Sequence, residues 1–232
     1  MYGNRVVIFS IDGKQKSTIQ LQKCPRGIAV EPIHNRFVVI ETYDPKVKVF
    51  NSDNSLAYEF PTVPADEVGK PHSPRTRGVA VKKDGTILVT YDQGWVYTEH
   101  KPSNGELLRT VPVKLCPAQL AVDNKDRVII SNYGARPFVA VTDGSSYTLF
   151  TIEPTILGKP AKYCLDVYAD SSGIYVTMLG PRYKGHIHHY DLDGRFLDCL
   201  VRGLHNPLGI TFTPDGQLAV ADEVSVKMFH KV

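Results

Sequence analysis

Short apolar runs recur along the whole chain, separated by polar turns. Some alternate apolar with polar residues, as in Val47-Lys48-Val49-Phe50 and Val226-Lys227-Met228-Phe229. That period of two belongs to a strand with one face against a core. Others are continuous, such as Phe37-Val38-Val39-Ile40, Thr86-Ile87-Leu88-Val89, Val128-Ile129-Ile130, Ile174-Tyr175-Val176 and Leu218-Ala219-Val220, the form taken by strands covered on both faces. Between the runs stand Lys83-Asp84-Gly85, Asp143-Gly144, Asp193-Gly194 and Pro214-Asp215-Gly216, the chemistry of tight hairpins. No stretch keeps a helical period. The pattern predicts an all-β chain.

The runs are also repeated. Pro25-Arg26-Gly27-Ile28-Ala29-Val30 returns as Thr76-Arg77-Gly78-Val79-Ala80-Val81, as Pro117-Ala118-Gln119-Leu120-Ala121-Val122 and as Pro207-Leu208-Gly209-Ile210-Thr211-Phe212. Lys162-Tyr163-Cys164-Leu165-Asp166-Val167 is a more diverged copy, and the successive spacings are 51, 41, 45 and 45 residues. A four-stranded propeller blade needs a period of about 40–45 residues. The expected organisation is a single propeller domain over 1–232: a partial repeat at 1–21, repeats at 22–69, 70–114, 115–158 and 159–204, and a last one at 205–232. Arg5 to Phe9 reads as a third strand and Asp12-Gly13 opens a fourth, while Pro207 to Phe229 supplies three strands. Six-bladed geometry with an incomplete first blade is favoured, a closed five-bladed ring being the alternative. The chain is then expected to begin inside a longer protein.

Composition changes this picture little. With 42% hydrophobic and 22% charged residues, the chain has the make-up of a folded domain. No apolar run reaches the roughly 18 residues of a membrane helix, so no membrane partner is expected. The start, MYGNRVVIFS, lacks the form of a secretory signal, which leads to a cytoplasmic expectation. Cys24, Cys116, Cys164 and Cys199 show no C-x-x-C spacing, and apolar burial is expected for all four.

The pattern Pro-x-Gly-Ile-Ala-Val, a turn, β-Val-x-Asp, then Asn-Arg-Val-x-Val-Phe-x-x-Asp-Gly resembles the NHL repeat. Tyr2 to Gly13 and Pro207 to Asp222 carry it best. The whole chain resembles the C-terminal NHL-type β-propeller of tripartite-motif (TRIM) and Brat-type proteins. The resemblance implies a face that recognises ubiquitylation substrates or RNA, with ligase chemistry on a RING absent from this sequence.

Loops joining strand two to three and strand four to the next strand one share one face of such a fold. Arg26, Arg75, Arg77, Arg136, Arg182 and Lys184 fall there, interleaved with Tyr43, Tyr91, Trp95, Tyr133, Tyr163 and Tyr183. The other face collects Asp12, Asp53, Asp84, Asp143, Asp191 and Asp215. Guanidinium groups among aromatic rings suit single-stranded RNA or an acidic protein segment; no DNA is expected. The long connection from Pro61 to Arg77 could carry recognition or be a bland arm. His186 and His188 on one strand face could offer two metal ligands, but a solvated face is expected, with no metal and no cofactor. Nothing forms a catalytic constellation. The expected function is a non-catalytic binding platform for a protein or RNA, against a metal-dependent propeller enzyme of lyase or lactonase type and a structural scaffold.

Overall fold

The computed structural model describes residues 3–62, 75–91, 94–132, 134–180, 184–223 and 225–230, and every regular element among them is a strand. The chain divides into two compact units, 1–114 and 115–232.

In the first unit, β1 (Arg5–Phe9) and β2 (Gln15–Gln20) form an antiparallel pair. Then β3 (Pro25–Glu31), β4 (Arg36–Glu41), β5 (Lys46–Phe50) and β6 (Leu56–Pro61) make a meander, as do β7 (Thr76–Val81), β8 (Ile87–Tyr91), β9 (Val96–His100) and β10 (Leu107–Pro112). In the second unit, β11 (Pro117–Val122), β12 (Val128–Asn132), β13 (Val139–Thr142) and β14 (Thr148–Ile152) form the next sheet. A two-residue-stranded hairpin follows, β15 (Thr155–Ile156) with β16 (Lys159–Pro160). The last sheets are β17 (Tyr163–Ala169), β18 (Ile174–Leu179), β19 (Lys184–Tyr190) and β20 (Phe196–His205), and the three-stranded β21 (Gly209–Phe212), β22 (Leu218–Ala221) and β23 (Val226–Phe229). Five sheets possess a first strand. Of the two alternatives the five-bladed arrangement is the one found, because the β1–β2 pair has only the third and fourth strands of a repeat.

Period-two alternation explains the packing. In the β3–β6 sheet, Val38, Ile40, Val47 and Val49 meet Val79, Ile87 and Val89 of the next sheet, while Val39, Phe37 and Phe50 meet Ile19 and Leu21 beside β2. The β17–β20 sheet is likewise double-faced: Val176 and Met178 join the core with Ile129 and Val141, and Tyr175 and Ile187 join that with Ile210 and Val220. Each fully buried side chain contributes about 1.5–3 kcal/mol of transfer free energy. That burial is why these strands read as nearly continuous apolar runs.

The turns at the opposite end from the candidate loops use their aspartates locally. Asp53, Asp84, Asp143, Asp170 and Asp191 each accept the backbone N–H two residues on, at 2.8–2.9 Å. Gly85, Gly144, Gly194 and Gly216 close turns at φ of 82–84°, where a Cβ is disfavoured. The acidic stripe read from the sequence is therefore largely turn chemistry.

Candidate functional site

Antiparallel order puts the strand-two-to-three and strand-four-to-one connections at one end of each sheet. In residues 1–114 that end presents Tyr43 and Trp95, 65% and 64% exposed. Both hold left-handed backbone, φ 60° and 50°, a conformation that costs a bulky residue on the order of 1–3 kcal/mol. Their surroundings enforce it. Lys23 Nζ donates to the Tyr43 carbonyl at 3.1 Å, Asp44 Oδ1 accepts the Lys46 N–H at 3.1 Å, and the Thr76 hydroxyl donates to the Asp44 carbonyl at 3.1 Å. The Trp95 carbonyl accepts the Val113 N–H at 2.7 Å. The Arg75 guanidinium lies over the Tyr43 ring, 4.5 Å from its centroid.

Other expected contact residues divide. Arg26 is exposed on β3 and Arg77 half-buried on β7. Tyr91 corrects the expectation of an accessible ring: it is 3% exposed and donates its hydroxyl to the Thr62 carbonyl at 2.9 Å. Burial pushes that phenol up to about 12. In residues 115–232, Tyr163 is exposed beside the Lys162 ammonium, and Lys184 is exposed at the start of β19. Arg136 donates twice to the Glu153 carboxylate, at 2.9 and 2.8 Å. Tyr133, Arg182, Tyr183 and most of the Pro61–Arg77 connection lie outside the described residues. With Lys23 also 3.6 Å from Asp44, part of the positive charge meets acids on the chain itself.

The second unit holds a cavity of about 290 Å³ between β19–β20 and the β15–β16 region. His186, His188 and Tyr190 alternate onto the same face of β19. Register across the hairpin sets Cys199 opposite His188 and Arg202 opposite His186, with irregularities between Gly185 and His186 and between Ile187 and His188. Cys199 Sγ lies 3.7 Å from His186 Nδ1, and one ligand atom from each of His186, His188 and Cys199 falls within 4.8 Å of the others. Phe196 packs edge-on to His188 at 5.0 Å. The expectation of a solvated strand face is corrected: His188 is 6% exposed. Burial first, then the charges of His186 and Arg202, push its imidazole down to about 4. Burial also lowers His186. Of the cysteines, Cys164 is buried, whereas Cys24, Cys116 and Cys199 are only partly so. Sequence reasoning found the two histidines and missed the thiol. Counting outward from the Asp191–Arg195 turn pairs His188 with Asp198; an irregularity between His189 and Tyr190 shifts the register by one and brings Cys199 opposite His188 instead, which no local pattern signals.

No family model and no curated protein matches the chain. Solved structures do. A streptogramin B lyase is 16% identical over 97% of this chain and 73% of its own, with a TM-score of 0.67. A catalytically inactive virginiamycin B lyase from Staphylococcus aureus with quinupristin is 10% identical over 98% and 77%, TM-score 0.66. A protein of unknown function from Bacteroides caccae is 14% identical over 94% and 78%, TM-score 0.65. The chain is a β-propeller. At these identities the likeness carries the fold alone, and the finer resemblance to NHL repeats rests on the sequence motifs. A propeller scaffold suits a binding platform, since its loops stand on a rigid support.

Proposed function

We propose that this propeller is a non-catalytic binding platform whose aromatic loop tips in residues 1–114 dock a carboxylate-bearing segment of another protein in the cytoplasm. The observation that carries it is the pinning of exposed Tyr43 and Trp95 in strained backbone, with Arg75 stacked on Tyr43. Exposed aromatics held rigid lose little entropy on binding, which is why Tyr, Trp and Arg dominate recognition hot spots. Arginine over an aromatic face is a residue combination suited to meeting a carboxylate. Pairing of Lys23 with Asp44 favours a mixed protein surface over a phosphate backbone, which needs uncompensated charge. Ubiquitylation-substrate recognition, the context that the NHL resemblance implies, is one use for such a face.

Selection of displayed random peptides on the purified chain tests this. Enriched peptides should carry Asp or Glu beside apolar residues and should quench Trp95, the single tryptophan of the sequence. Arg75→Ala and Trp95→Ala should each weaken them about 10-fold or more. No enrichment, binding indifferent to both substitutions, or preference for oligouridylate with a steep salt dependence would overturn the reading.

A further inference from the structure

The cavity beside β19 and β20 has no part in docking at the loop tips of residues 1–114, and its lining has a chemistry of its own. We propose that His186, His188 and Cys199 are the protein ligands of one zinc ion, with the fourth coordination position open to the cavity.

Two imidazoles and a thiolate form a soft-to-borderline donor set, which selects zinc over magnesium or calcium. Three protein ligands with one open position make a recognised zinc arrangement. The spacing fits. A sulfur at about 2.3 Å and a nitrogen at about 2.0 Å from one ion, at the tetrahedral angle, stand roughly 3.5 Å apart, and Cys199 Sγ is 3.7 Å from His186 Nδ1. The remaining separations, none above 4.8 Å, close by small side-chain rotations. The backbone supplies the set cheaply: alternation puts both histidines on one face, and the cross-strand register adds the thiol.

A simple thiol–imidazole hydrogen bond accounts for the cluster less well. It needs one histidine, and the thiol already approaches the Val201 carbonyl at 3.5 Å. His188 is buried, and among the described residues its ring has one hydrogen bond, a long 3.4 Å contact from Nδ1 to the Tyr190 hydroxyl. A buried polar ring so weakly satisfied calls for a better partner. Arg202 also lines the cavity. Its charge opposes a bare cation but complements an anion on the open position, while Glu153 at the rim is held by Arg136. Binding balances simply: the Cys199 thiol gives its proton to the buffer, and the two imidazoles bind through neutral nitrogen lone pairs.

Titration of the reduced, purified chain with Zn²⁺ against a chromophoric chelator should show one tight site. Outer-shell partners alone are worth about 10–100-fold in metal affinity, so Cys199→Ser and His186→Ala should each cost about 100-fold or more. The less buried positions are chosen so that the variants keep their fold, checked by far-ultraviolet dichroism. Co²⁺ bound to the unaltered chain should give a thiolate-to-cobalt charge-transfer band that Cys199→Ser abolishes. Absence of a stoichiometric site, absence of the band in the unaltered chain, or zinc affinity in both variants equal to that of the unaltered chain would overturn the proposal.

Discussion

Asp166 stands on β17 where the sister repeats carry an apolar or small residue, and its carboxylate accepts the Ile210 N–H at 2.9 Å. Though its side chain keeps partial solvent access, the protein packed around it pushes its pKa up to about 7, against hydrogen bonds from Ile210 and Val167 that lower it. A carboxyl raised in the folded state keeps its proton after the unfolded chain has lost one. Stability therefore falls as pH rises from about 4 to about 7 and is level above. Asp166→Asn keeps the acceptor and removes the ionisation. The substituted chain should match the original near pH 4 and exceed it by about 1–3 kcal/mol at pH 8, a figure discounted for the partial exposure. Urea titrations at the two pH values read this directly, and a difference that does not change with pH would refute it. Glu99 shows the opposite balance on β9. Burial raises it, but Arg109 and Lys82, at 2.8 Å each, outweigh that and hold it below the usual carboxylate range. Neither environment is written in local sequence alone, because Ile210, Lys82 and Arg109 all come from outside the strand that carries the carboxylate.

Elements were legible where a local rule decides them. The runs at Thr76–Val81, Pro117–Val122 and Val226–Phe229 are strands with those very bounds, since alternation and Asp-Gly turns need no distant partner. The small β15–β16 hairpin was not legible, as two-residue strands carry no period. Tyr91 escaped for a similar reason: it is interior where Thr98 of β9 and Thr62, just past the end of β6, face it. Docking of one sheet on the next is equally non-local. The β9–β10 turn meets β6 through Gly105, where an added Cβ would lie 2.1 Å from the Phe60 ring, and through a Tyr58 hydroxyl hydrogen bond to the Pro102 carbonyl. Gly105 and Gly13 share nearly the same φ, 74° and 78°, but a Cβ on Gly13 meets nothing within 4 Å. Gly13→Ala should cost only the strain, about 1 kcal/mol. Gly105→Ala adds overpacking and should cost about 2–4 kcal/mol, a fall in Tm of roughly 5–15 °C for a chain of this length. Equal melting temperatures for the two variants would show that Phe60 yields freely.

For the molecule as a whole, the cores shared between successive sheets tie local sites to global stability. The β17–β20 sheet is covered on one face by the core that includes Val176 and Met178 and on the other by that of Tyr175 and Ile187. Its strands β19 and β20 therefore cannot part without exposing apolar surface on both sides. An ion held by His186 and His188 on one strand and Cys199 on the other would be released by the same opening. Ligation then favours the folded state by mass action: at a free zinc concentration 100 times Kd the gain is about 2.7 kcal/mol. For a chain of this length that raises Tm by roughly 5–10 °C. Scanning calorimetry with and without Zn²⁺ should show the rise, a chelator should reverse it, and Cys199→Ser should abolish it. Zinc bound by scattered thiols and imidazoles of the unfolded chain would act in the other direction and lower Tm. A rise that persists at the same size in Cys199→Ser would mean that the stabilising ion does not bridge these two strands.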